Sequence, residues 1–187
     1  MRCNGRAYGL FQRRRLGSSP AWQTQIDLLR LIGRAIKESS LGGHPYWYFV
    51  PYQDDIQEAL NALRQREFRA GRYNPATWFP NFPVDFNAAS PDAQHPSIDE
   101  ALADADADGT RSVLDLNIAG VSPGYGVAAA LPAHLLRQYF GTEHPTRAMV
   151  EGNHEFFEDI ERGQGLYIIV YEGNQPNEIF FAGYSYD

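Results

Sequence analysis

Pro45-Tyr46-Trp47-Tyr48-Phe49-Val50-Pro51 is the first stretch of this sequence with a strong folding signal, and its reading decides the rest. Aromatic and β-branched side chains suit a pleated, half-buried surface, and the flanking prolines bound the run, so it reads as a β-strand. Alternate residues point to opposite faces: Tyr46, Tyr48 and Val50 share one side, Trp47 and Phe49 the other. If both sides are covered, the strand is central and its aromatic excess is packing.

Downstream, residues 53 to 70 predict a helix, with Asp54 and Asp55 favourable in its first turn and Gly71 placed to end it. Its apolar stripe is Ile56, Ala59, Leu60 and Leu63. Glu67 continues that stripe, where an acid needs a partner or a raised pKa. Residues 73 to 96 hold five prolines together with Trp78, Phe79, Phe82 and Phe86, a long loop whose aromatics must pack on something. Ser97-Ile98-Asp99-Glu100 is a capping box that starts a short helix. Residues 111 to 118 alternate as a half-buried strand, and 121 to 131 contain a Ser-Pro-Gly turn followed by a small-residue run that reads as another. Pro132 and Gly141 bracket a short helix over 132 to 140. Residues 146 to 162 give the clearest helix pattern, and 166 to 171 with 178 to 186 form a C-terminal antiparallel hairpin. This order predicts an α+β fold: a mostly antiparallel sheet of about five strands with helices largely on one face.

Upstream the chain changes character. Residues 1 to 44 carry eight of the sixteen basic residues and only Asp27 and Glu38, a balance of +6, whereas 45 to 187 hold eight arginines against twenty-one acids, −13. The boundary falls near Ser39-Ser40-Leu41-Gly42-Gly43, which reads as a hinge. We therefore divide the chain into a basic N-terminal extension, 1–42, and a single acidic α+β domain, 43–187. Within the extension, residues 1 to 20 lack periodicity, while 21 to 38 predict an amphipathic helix with a basic stripe of Arg30, Arg34 and Lys37. That helix either docks on the acidic domain, anchors at a membrane surface, or is a presequence resembling organellar transit peptides; the segment as a whole also reads as an over-extended start outside the native core.

With 187 residues, 43% apolar and 21% charged, the chain has ordinary globular values. No apolar run reaches the roughly 18 to 20 residues that span a bilayer. Cys3 is alone, so neither a disulfide framework nor a paired-thiolate zinc site is available, and a reducing, cytoplasmic setting is the expectation. The acidic field disfavours nucleic acid and favours cationic partners.

The chemistry-bearing candidates each compete with a plainer reading. Asp104, Asp106, Asp108, Thr110, Ser112 and Asp115 follow the oxygen-ligand spacing of a calcium loop with Gly109 at its turn, yet Asp115 replaces the longer Glu and a helix end turning into a strand favours the same residues. Glu151 and His154 have an i, i+3 metal-site spacing, but His154 borders Glu158 and Glu161 on what reads as a solvated helix face. The glycines of 120 to 126 read as a plain loop between strands, and no Gly-x-Ser-x-Gly elbow occurs. Aromatic candidates for an interface or ligand wall are Trp47, Tyr48, Tyr73, Trp78, Phe79 and Tyr184.

No metal is favoured and no cofactor is indicated. The leading expectation is a small acidic protein that binds a basic protein partner, comparable to bacterial immunity proteins only by analogy of charge and size. The alternative is a small enzyme or ligand-binding protein with a pocket under the 73–96 loop, where His95, Arg72, Glu67 or His154, with Glu158, supply polarity.

Overall fold

The computed structural model describes residues 43–78, 82–85 and 87–186. The expectations for 1–42, and those for Phe79 and Phe86, lie outside the described residues. Strand β1 is Pro45–Pro51, with Tyr46, Tyr48 and Val50 buried on one face and Phe49 on the other. Helix α1, Ile56–Ala70, starts at Asp55, whose carboxylate accepts from the Glu58 amide at 3.0 Å. It ends at Gly71 in the left-handed region (φ 67°), where a side chain would collide with the Asp92 carbonyl. Helix α2, Ile98–Ala105, is capped by the Ser97 hydroxyl as the capping box requires and buries only Ala101 and Ala105. Helix α3 is Ala133–Phe140, between Pro132 and a left-handed Gly141. Helix α4, Arg147–Gly152, precedes a 3-10 segment at Glu155–Asp159. Strands β4, Gly165–Glu172, and β5, Gln175–Tyr184, form the expected hairpin around Gly173 and Asn174.

The five-stranded sheet has the order β1-β5-β4-β3-β2, with β2 at Ile118–Gly120 and β3 at Val127–Ala130. It is mixed, not mostly antiparallel. β1 with β5 and β5 with β4 are antiparallel, while β4 with β3 and β3 with β2 are parallel. The first parallel pair arises because residues 131–164, which hold α3 and α4, return the chain to the end of the sheet where β3 began. The second needs only the six residues 121–126, because β2 is three residues long and there is little length to retrace.

Nor do the helices gather on one face. One core joins Tyr46, Tyr48 and Phe181 of the sheet to Leu60 and Leu63 of α1 and Ala101 of α2. A second joins Phe49, Ile168 and Phe180 to Val150 of α4 and Phe156, with Leu135 and Leu136 of α3 against it. Both faces of β1 are thus covered although the strand stands at the sheet edge, a place that tolerates its terminal prolines.

Two further expectations are corrected. Residues 111–118 are not a strand: Val113–Asp115 is a buried 3-10 turn, and only Ile118–Gly120 pairs. The cause is local side-chain bonding, since the Asp115 carboxylate accepts from the Thr110 amide at 2.8 Å and its hydroxyl at 2.7 Å, closing the backbone into a loop. The 146–162 helix breaks at Asn153, whose side chain accepts from the Glu155 amide and donates to the Tyr139 carbonyl, both at 2.8 Å. Those bonds tie the break to α3 and compensate for a helix weakened by Gly152.

Candidate functional site

The carboxylates of the acidic domain are not all water-facing, as a solvated surface would have them. Glu67 and Asp115 are fully buried on the α1 face of the sheet. Glu67 accepts from Arg66 Nε at 2.6 Å, Arg72 Nε at 2.7 Å and Arg72 Nη2 at 2.8 Å. Its helix delivers it inward because Leu60, Leu63 and Glu67 lie on one stripe, and the Gly71 turn brings Arg72 back over it. The partnership raises the Arg72 guanidinium above its ordinary value. Burial, reinforced by the Glu67 charge, holds the Tyr48 phenol well above the usual tyrosine range, and burial with Asp115 does the same for Tyr46. Both acids are held by this chain's own groups, an arrangement that fixes structure.

The proposed calcium ligands do not converge. Asp115 and Thr110 bond one another inside the core, Asp106 and Asp108 are exposed, and Asp104 turns to His95 Nε2 at 3.2 Å. Among the described residues no group of three or more His, Cys, Asp or Glu is arranged to hold a metal. His95 is instead the middle of a chain, with the Tyr73 hydroxyl 2.8 Å from its Nδ1. Because the Asp104 carboxylate only accepts, Nε2 carries a proton toward it, and in the neutral ring Nδ1 then accepts from the Tyr73 hydroxyl, which itself accepts from the Gln94 amide at 3.2 Å. This chain pins the end of the 73–96 loop against α2.

His154 donates from Nε2 to the Glu151 carbonyl at 3.0 Å, while the Glu151 carboxylate pairs with Arg147, so the two side chains form no joint site. Trp47 meets His154 edge-on at 5.9 Å and Phe157 at 5.7 Å, and Tyr184 meets Phe157 at 5.8 Å. Burial, then Glu158, raises the Tyr184 phenol, and the rings of Trp47, His154 and Tyr184 all pack around Phe157. Tyr48 and Tyr73 are sealed in the core. Trp78 is 72% exposed, with the Arg111 guanidinium 5.2 Å from its ring.

A surface the sequence reading passed over lies at the end of the sheet where β3 and β4 begin. Tyr125 stacks on Tyr186 at 4.5 Å with a 12° tilt, and Tyr125 is 73% exposed. The Tyr186 hydroxyl donates to the Asp115 carbonyl at 3.2 Å, and its ring lies against Gly109 and Gly163. A side chain at Gly163 would come within 2.7 Å of both tyrosines, so glycine there is what lets the pair close. The loop bearing Asp106 and Asp108 reaches the pair from one side, and the turn bearing Glu161 and Arg162 from another. Val121, 87% exposed, lines an apolar hollow of about 140 Å³ with Pro123, Leu135 and Ile160, and Asp159 stands at its rim. The Asp159 carboxylate accepts from Tyr139, whose phenol burial and that bond push up to about 12. Ile118 is also exposed. The only signal available in the sequence was the apolar Val121 and Tyr125 within a loop otherwise made of Gly, Ser and Pro.

The site and fold therefore define an α+β protein built on a mixed five-stranded sheet with helices on both faces. Comparison with known protein families, with curated proteins and with solved structures finds no match. Among the described residues no helix is long and apolar enough to cross a membrane.

Proposed function

We propose that this chain is a protein-binding module for a basic partner, and that the partner docks at the end of the sheet formed by the 121–126 loop. The observation that carries the reading is the stack of exposed Tyr125 on half-buried Tyr186 beside an apolar hollow, with Asp106, Asp108, Asp159 and Glu161 on the surrounding segments. Flat tyrosine faces attract guanidinium and ammonium groups, and an adjoining carboxylate supplies the counter-charge. An apolar hollow of this size accepts an aliphatic side chain or the stem of a lysine or arginine. The acidic balance of 45–187 would steer a cationic protein to the surface. Tyrosine at the centre with charge at the rim is the anatomy of a protein interface.

Affinity capture from an extract of the source cells, with full-length protein and its Tyr125→Ala and Val121→Ser variants, tests this. A basic protein retained at low ionic strength, released at about 0.5 M salt where exposed charges are screened within a few ångströms, and lost in both variants supports the proposal. Retention that ignores both salt and the two substitutions rejects it.

A further inference from the structure

A second hollow, of about 630 Å³, runs along α1 between that helix and Ala88 and Ser90. Its lining is unusual for this domain. Between residues 45 and 187 acids outnumber arginines twenty-one to eight, yet three of those eight arginines, Arg66, Arg69 and Arg72, line this one hollow, and among the described residues no carboxylate does. The remaining described walls are Gln65, Ser90 and small alanines. Helix geometry explains the convergence: residues 66 and 69 lie one turn apart beside the sheet-facing stripe, and the Gly71 turn carries Arg72 round to meet them.

The opposite wall is pinned. The Ser90 hydroxyl donates to the Ala70 carbonyl at 3.1 Å, the Ala93 amide to the Arg69 carbonyl at 3.1 Å, and Arg72 Nη1 reaches the Ala88 carbonyl at 3.4 Å. Arg72 is itself only 6% exposed. Glu67, behind the arginines, holds Arg66 through Nε and Arg72 through Nε and Nη2, which fixes both guanidinium planes. Arg69 makes no ion pair among the described residues. Asp85, which also acts on Arg72, lines a different hollow with Phe49 and Val84.

We propose that this groove binds the phosphoryl group of a small anionic ligand, at a site that shares no lining residue with the proposed partner surface. Guanidinium groups present paired donors that match phosphate oxygens, and a volume of this size holds a sugar-phosphate-sized molecule. The polar side chains of Gln65 and Ser90 among its described lining residues suit a hydroxylated ligand. Glu67 is a positioning residue, and Arg66, Arg69 and Arg72 are the contacts.

Calorimetric titration of the full chain with pyrophosphate at low ionic strength tests the site, with citrate as a second probe. Arg69→Gln removes one exposed groove charge, and Arg137→Gln removes the same charge from a surface pair with Glu143 on α3. The expected result is saturable pyrophosphate binding with Kd below about 1 mM, weakened roughly tenfold by Arg69→Gln and unchanged by Arg137→Gln. Absence of saturable binding at about 10 mM, or equal weakening by both substitutions, overturns the site, and tighter binding of citrate than of pyrophosphate overturns its phosphoryl assignment.

Discussion

Substituting Glu67 by glutamine tests whether the buried polar seam holds the fold together. The carboxylate receives three hydrogen bonds of 2.6 to 2.8 Å from two guanidinium groups, and its exposure is zero. An amide in the same place keeps the shape, but one of its ends becomes an NH2 group that faces Arg72 Nε and cannot accept. The two guanidiniums lose the charge that offsets their desolvation. Removing one member of a buried ion pair costs about 3 to 5 kcal/mol. That is a large share of the roughly 5 to 15 kcal/mol that stabilises a typical domain. At about 2 to 4 °C per kcal/mol for a chain of this length, the midpoint falls by roughly 6 to 20 °C. Urea unfolding followed by tryptophan fluorescence measures the loss, and combination with Arg72→Gln in a double-mutant cycle isolates the pair. A cost below about 1 kcal/mol for Glu67→Gln, or no coupling with Arg72, would refute the idea that this seam is structural.

Other consequences follow from the same geometry. Gln57→Ala removes a side chain that accepts from the Ala119 amide at 2.8 Å and donates to the Asn117 carbonyl at 3.1 Å. The expected cost is about 1 to 2 kcal/mol with faster hydrogen exchange at Ala119, and unchanged exchange there would contradict the bond. Tyr46 and Tyr48 have folded-state pKa values above the unfolded one, so the stability they carry is complete below pH of about 10 and is lost as pH rises toward their folded values. In that window each adds a slope of about −1.4 kcal/mol per pH unit, and both together about −2.7. Denaturation midpoints that stay level between about pH 10 and 11.5 would exclude this, as would free ionisation of all tyrosines in an absorbance titration of the folded protein.

The elements that were legible in the sequence are those set by neighbours along the chain. Asp55, Ser97 and Gly71 cap their helices through backbone groups within four residues, and β1, α1, α3 and the terminal hairpin stand where local pattern put them. What failed depended on distant partners. Residues 111–118 alternate like a strand, but Asp115 found Thr110, and Asn153 broke a periodic helix by bonding to Tyr139 of α3. The two-sided cover of the sheet was written in Leu166–Val170 and Ile179–Ala182, continuous apolar runs in place of alternation, as strands buried on both faces require. Of the candidate residues, the burial of Glu67 followed from its stripe, whereas the Tyr125–Tyr186 stack joins positions sixty-one apart that no periodicity connects.

The same long-range bonds restrict how a partner can meet the proposed docking end. β2 is one of the two outer strands of the sheet, and an unpaired outer strand ordinarily invites an incoming chain to add itself by main-chain hydrogen bonds. Here the Gln57 amide stands in for that neighbour, accepting from Ala119 and donating to Asn117, while Arg64 donates to the Asn117 side chain at 3.0 Å and to the Leu114 carbonyl at 3.3 Å. Strand addition would have to break those bonds before making its own. Under the proposed reading, docking at this end falls to side chains, of which Val121 and Tyr125 are exposed. Gln57→Ala then separates the two modes: it should leave side-chain docking at Tyr125 intact while opening the strand to self-association, so a gain of oligomer without loss of partner is the signature of this arrangement.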